Sequence, residues 1–186
     1  MTPPPPNPVV APPRKSGMSA IVIILIVIGA SCPVIGILAA IAIPNFIRFQ
    51  SRSKQTECKT NLRMINTAQR SYQSDKGKFA VTFEELGTAP EAGNRYTYFL
   101  TETSVKPADT TRAPNALSAT FALASLKGHG IKVGTTDTTF TAACVGNVDN
   151  DATQDIWTVS NVDRTSADGQ PIPAGMPFND VNDITD

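Results

Sequence analysis

From Ala20 to Ile47 no charged side chain interrupts the chain and most positions are apolar; beyond Ile47 the pattern turns polar and basic while keeping a helical rhythm. The uncharged run exceeds the roughly 20 residues needed to cross a hydrocarbon core of about 30 Å, so residues 18–47 are predicted as a transmembrane helix. A cleaved signal peptide is the competing reading, but its apolar region spans only about 7–15 residues and ends at a small-residue cleavage site. After Phe46, the residues Phe49, Cys58, Leu62, Ile65, Ala68 and Tyr72 mark one stripe at helical spacing, which a sheet can cover. Residues 48–76 are thus an amphipathic helical stem, continuous with the anchor and stopped by Gly77. Pro33 and Pro44 interrupt this helix, and their separation of about three turns directs both kinks toward nearly the same side.

Residues 77–186 read as one antiparallel β head domain. Thr82 followed by Glu85 is a capping-box pattern for the turn FEEL, closed by Gly87. Residues 94–100 are predicted as the first strand. Residues 118–126, SATFALASL, alternate well enough for another, with a helix as the alternative because Ala and Leu favour one. Residues 140–148 and 155–161 form a hairpin around DNDATQ, and the Pro-, Gly- and Asp-rich tail after Arg164 is expected to wrap the sheet without regular structure. At the other end, residues 1–17 hold seven of the 15 prolines and read as a polyproline-II-like or disordered tail.

Charge modifies this picture. The formal net charge is zero, yet residues 1–78 carry ten Lys or Arg against two acids and residues 79–186 carry six against fourteen. The two parts are thus near +8 and −8, which favours head-to-stem contacts between neighbours at separations within the screening length of about 8 Å.

Candidate chemistry is sparse. Asp149, Asp151, Thr153 and Asp155 place oxygens at alternate positions between two predicted strands, as a calcium ion with six to eight hard ligands would use. The full EF-hand spacing is missing, and an Asx-rich turn whose carboxylates cap backbone amides explains the same residues without metal. Cys58 shares the helix stripe with Leu62, and Cys144 shares a strand face with Phe140, so both point toward one core. They are read either as a disulfide or as two buried thiols. His129, in GHG, has no acidic neighbour in sequence and reads as a turn residue. No catalytic constellation, phosphate cradle or small-molecule site emerges, and Tyr72, Phe79, Phe83, Tyr96, Tyr98 and Phe99 read as core rather than as a nucleic-acid stacking platform. The expectation is a protein that is not an enzyme, with no cofactor unless calcium binds.

The string GILAAIAIPNF, Gly36 to Phe46, resembles the end of the N-terminal helix signature of type IV pilins and pseudopilins. The run from Phe46 to Phe79, the LG..PE.GNRYTY element and GNVDNDATQDIW resemble, in that order, the pilins of predatory and gliding deltaproteobacteria. The resemblance implies an α+β, pilin-like fold in which a long N-terminal helix, anchor plus stem, packs on an antiparallel sheet. It implies a minor or divergent structural subunit of a type IV pilus or type II secretion pseudopilus, with membrane lipid, other pilin or pseudopilin subunits and the assembly machinery as partners. The alternative is a non-polymerising, membrane-tethered periplasmic binding or adaptor protein that keeps the fold.

Several family properties fall on particular residues. Pro44 matches the family's kink, whereas Pro33 is an addition. The family's orientation puts the N-terminus in the cytoplasm and the head in the periplasm of an inner-membrane, single-pass protein that can enter a surface filament. Arg14 and Lys15 agree with that orientation; the basic stem opposes it by the positive-inside rule. In that oxidising compartment a Cys58–Cys144 disulfide can form. Major pseudopilins of type II secretion hold calcium in a comparable part of the head. Family spacing places the residue before the leader cut at Val22 and the membrane glutamate at Val27, and neither residue matches. An anchor without that carboxylate resides in lipid with no partner.

Overall fold

A single helix, α1, runs from Ala20 to Lys76 with Pro33 and Pro44 inside it. The computed structural model describes Met1 and residues 19–111, 113, 114, 116–149 and 153–184, without the side chains at 27, 30–32, 34 and 35. The proline-rich residues 2–17, Asp151 and the side chains of Val27 and Cys32 therefore lie outside the described residues. The chain divides into two units, Met1–Pro44 and Asn45–Asp186; helix is what the first contains among the described residues, and every strand belongs to the second.

Gly77 ends α1 as its type predicts. Its φ is 74° and its N–H donates to the Gln73 carbonyl at 2.8 Å, a left-handed cap that a Cβ would penalise. Gln69, one turn beyond Ile65 on the buried stripe, then catches the returning chain. Its Nε2 donates to the Ala80 carbonyl and its Oε1 accepts from the Ala80 N–H, both at 2.9 Å. The side chain thereby acts as a strand partner for one residue, satisfying a buried amide that no sheet reaches.

Helix α2, Phe83–Leu86, is capped by Thr82, whose Oγ1 accepts from the Glu85 N–H at 3.1 Å, and ends at Gly87 with φ 66°. Glu85 reaches back to the Val81 N–H at 2.8 Å, one residue beyond the N-cap N–H that a reciprocal capping box uses. Next come β1 (Thr97–Phe99), β2 (Val105–Lys106), α3 (Ala119–Gly128), β3 (Gly134–Thr135), β4 (Phe140–Gly146) and β5 (Asp155–Ser160). The chain finishes with β6 (Arg164–Thr165), β7 (Pro171–Ile172) and β8 (Phe178–Val181). The main sheet runs β2-β1-β4-β5-β8, entirely antiparallel. β5 takes one edge of β4; the other edge is shared, with β3 opposite Phe140 and Thr141 and β1 opposite Ala143 to Val145.

Two expectations are corrected. Residues 118–126 are not a strand: Ser118 accepts from the Phe121 N–H at 3.3 Å as an N-cap, and Ala122 and Leu126, four residues apart, are buried while Phe121 is exposed. Helix propensity and capping override a short apparent alternation. The tail after Arg164 is not irregular either. β6 and β7 pair as a ribbon, and β8 adds to β5, covering an edge whose backbone groups would otherwise lie open.

The same helix changes the core. One face of the sheet packs Tyr96, Tyr98, Ala142, Cys144 and Val159 against Cys58, Leu62 and Ile65 of α1. The alternate residues Phe99, Ala143, Val145 and Ile156 meet Ala122 and Leu126 of α3 on the other. Where one core between helix and sheet is predicted, the structure has two. That double burial explains why FTAACVG is a continuous apolar run instead of an alternating one.

Candidate assembly surface

The head-domain end of α1 is tied to the sheet by one carboxylate. Asp155 opens β5 and is 0% exposed. Its Oδ2 accepts from the Tyr96 hydroxyl at 2.6 Å and the Trp157 Nε1–H at 2.7 Å. Its Oδ1 accepts from Gln55 Nε2 at 2.8 Å, Asn179 Nδ2 at 3.1 Å and the Asp183 N–H at 3.5 Å. A buried carboxylate is tolerable only when donors replace its lost hydration, and these come from α1, the approach to β1, β5 itself, β8 and the C-terminal segment. Burial, reinforced by the Asp155 charge, pushes the Tyr96 hydroxyl well above its ordinary pKa, so it remains a donor. The Tyr96 ring lies against Gly146, where a Cβ would come within 2.6 Å of the ring; glycine is required there by close approach. Asp183 accepts from the Val148 N–H at 2.5 Å, and Lys54 donates to the Val148 carbonyl.

Beside this knot, Cys58 and Cys144 are joined as a disulfide, with their Cα atoms 6.3 Å apart. It links α1 to the strand that carries both β1 and β5. Lys59 places its Nζ 5.9 Å from the centre of the Trp157 ring, adding a second contact between helix and β5.

Of the four residues considered for calcium, Asp155 has both oxygens filled by protein donors. Asp149 and Thr153 are half-buried and have partners of their own. Among the described residues, no three His, Cys, Asp or Glu side chains converge to hold a metal. Asp151, the remaining candidate, lies outside the described residues, and the melting temperature of the chain with and without EDTA tests whether a cation binds this turn. A cation held at a hundredfold excess over its Kd would contribute about 2.7 kcal/mol, or roughly 8 °C, that chelation removes. A drop of that size would place a metal in the 149–155 turn, and an unchanged melting temperature would leave the turn-capping reading. His129 caps the C-terminal end of α3 in the exposed turn that the GHG string predicts.

The apolar side chains of α1 have a different situation. Ile21 to Ile26, Ile28, Ile37, Leu38, Ile41 and Ile43 in the first unit, and Phe46, Ile47 and Phe49 at the start of the second, are all between 43 and 70% exposed. A helix apolar on every side has no stable place in water, and contiguous apolar surface of this extent marks a contact with lipid or with other protein. Among the described residues no helix is long and apolar enough to cross a membrane; six side chains in the middle of the run are not among those residues.

A long N-terminal helix, apolar and uncovered at first and then packed on an antiparallel sheet, defines a pilin-like subunit. The chain belongs to the type IV pilin family. The profile of the family described as type IV pilin PilA matches residues 49–111. The type IV major pilin protein PilA of Myxococcus xanthus (strain DK1622) is 34% identical over 190 aligned residues, covering 81% of this chain and 86% of the relative. Type IV pilins are membrane-anchored structural subunits of filaments rather than catalysts, and the chain is accordingly a pilin subunit.

Two residues matter to this domain in ways the sequence expectations do not include. Gln69 had a signal, a polar side chain in register with an apolar stripe. Asp155 is among the calcium candidates, and its distant donors, 100 residues upstream at Gln55 and 59 upstream at Tyr96, lie beyond any local pattern.

Proposed function

We propose that the chain is a structural subunit, minor or divergent, of a type IV pilus, inserted in the inner membrane with its N-terminus cytoplasmic and Asn45–Asp186 periplasmic before assembly. The observation that carries this reading is the uncovered apolar surface from Ile21 to Phe49, which lipid covers before assembly and neighbouring helices cover afterwards. Contacts of this kind are heterologous and do not close, so they generate a helical filament. The likeness to a protein named a major pilin favours a pilus over a secretion pseudopilus. The second reading, a tethered adaptor that does not polymerise, draws on Val22 and Val27 at the positions where the family has its cut glycine and membrane glutamate.

Fractionation separates the two. The chain is expected in sheared filaments, with a periplasm-active reporter working after Asp186 and silent at the N-terminus. Retention in the inner membrane with nothing in the sheared fraction would favour the adaptor, and the reverse reporter pattern would overturn the orientation.

A further inference from the structure

We propose that the pocket lined by Glu57, Asn61, Glu91, Ala92, Gly93 and Asn94 receives a guanidinium from the stem of a second copy of this chain, supplied by Arg48 or Arg52. The inference rests on the chain being a filament subunit.

The pocket has a volume of about 250 Å³ and lies between α1 and the segment leading into β1. The side-chain polar groups left for a ligand are acceptors. Glu57 is held in place because its Oε1 accepts from the Arg95 N–H at 2.7 Å and its carboxylate interacts with the Tyr98 hydroxyl. Asn61 spends its Nδ2 on the Tyr98 hydroxyl at 2.8 Å, which leaves its carbonyl oxygen. Asn94 is only 5% exposed, and its Nδ2 donates to the carbonyls of Tyr96 at 2.5 Å and Pro107 at 3.2 Å. Two carbonyl partners fix which way the amide faces, so Asn94 Oδ1 is the remaining atom, and it is buried with no hydrogen-bond partner. A buried acceptor left unmet is unfavourable, and two carboxylates beside it select a positively charged donor.

Its shape and multiplicity favour a guanidinium. Among the described residues no three acidic, His or Cys groups converge as a metal would require, and the one ion pair between described side chains, Lys127 with Glu102, is elsewhere. Several acceptors in one recess match the fork of donors on arginine better than a hydrated point charge.

Arg48 and Arg52 are exposed, stand four residues apart on one face of α1, and are not ion-paired among the described residues. Anchors entering the same membrane make neighbouring stems parallel. A parallel copy displaced along the helix by the five residues from Arg52 to Glu57, or the nine from Arg48, is shifted by about 8–14 Å. Such a shift brings one of these guanidinia level with the pocket, and repeating it along a row joins each copy to the next by the same contact.

The test uses two full-length, differently tagged chains made in the same cells, one with Glu91→Cys and the other with Arg48→Cys or Arg52→Cys. Mild oxidation is expected to link the two tags in filament fractions, above the level given by an Arg70→Cys control farther along the stem. In a separate variant, Glu91→Gln alone leaves Glu57 with its Arg95 and Tyr98 partners and should leave the melting temperature of the full-length chain unchanged. It should lower the filament-associated fraction by about three- to tenfold, the range for losing a partly buried charged contact. Linkage no greater than the Arg70 control, in filaments that contain both tags, would overturn the pocket's role while leaving the subunit reading intact. So would an undiminished filament fraction for the Glu91→Gln variant. Absence of the unmodified chain from sheared filaments would overturn the subunit reading and the pocket's role together.

Discussion

Asp155→Asn is expected to destabilise the Asn45–Asp186 unit by about 3–5 kcal/mol, the largest effect of any single conservative change in this domain. The substitution is nearly isosteric, so the loss is one of chemistry. Five N–H or O–H donors now converge on two acceptor oxygens. An amide offers one acceptor oxygen and turns an NH₂ group toward the others, so whichever way it sits, donors face donors in a dry interior. With the amide oxygen toward Tyr96 and Trp157, which share one carboxylate oxygen, the Gln55, Asn179 and Asp183 N–H donors face the NH₂; the opposite orientation strands the Tyr96 hydroxyl and the Trp157 indole, and each buried donor left unmet costs about 1–3 kcal/mol. Urea unfolding followed by fluorescence of Trp157, the one tryptophan in the chain, reads both the stability and the environment of the knot. Tyr96→Phe, which removes one of the five donors and leaves the carboxylate with four, should cost only about 1–2 kcal/mol by the same measurement. Equal costs for the two variants would mean that the hydroxyl, and not the carboxylate, organises the site.

Removing the disulfide should have the second largest effect. With Cys58 and Cys144 both replaced by Ala, the unit is expected to lose about 2–4 kcal/mol, or roughly 10 °C in melting temperature. The link spans 86 residues, so it restricts a long loop of the unfolded chain. Both residues are fully buried, and their thiols fill space in the α1-facing core, so part of the loss comes from truncating the two side chains. Reduction of the unmodified unit separates the contributions: it removes the cross-link and keeps the sulfur atoms in place. Calorimetry with and without reductant should reproduce most of the shift seen in the double Ala variant. A melting temperature indifferent to reductant would assign the stabilisation to packing instead.

These effects bear on assembly. A filament subunit transmits load from its helix to its head, and in the second unit that junction consists of the Asp155 knot, the disulfide, Lys59 over Trp157, and the Gln69 clasp on Ala80. They attach one helix face at positions from 55 to 69, leaving Arg48, Arg52, Arg63 and Arg70 exposed. The basic side chains are thereby free for partners outside the chain.

What the sequence by itself determined is whatever depends on neighbours a few residues away. The uncharged run to Ile47, the stripe through Cys58, Leu62 and Ile65, the Gly77 stop, the Thr82 cap and the hairpin of β4 and β5 follow from periodicity, propensity and local hydrogen bonds. Family strings such as GILAAIAIPNF extended that reach, because they carry a fold already solved by other chains. Only the tertiary structure decided the rest. Segment 118–126 could satisfy its backbone as helix or strand; its Ser118 cap favours the helix locally, and the second face of the sheet, apolar at Ala143, Val145 and Ile156, gives that helix a face to pack on. β8 exists because β5 presents an open edge. The donors around Asp155 were not legible either, because folding brings Gln55, Tyr96 and Asn179 to it from three distant parts of the chain. A buried polar group takes its meaning from the donors around it, and those are set by the fold and not by spacing along the sequence.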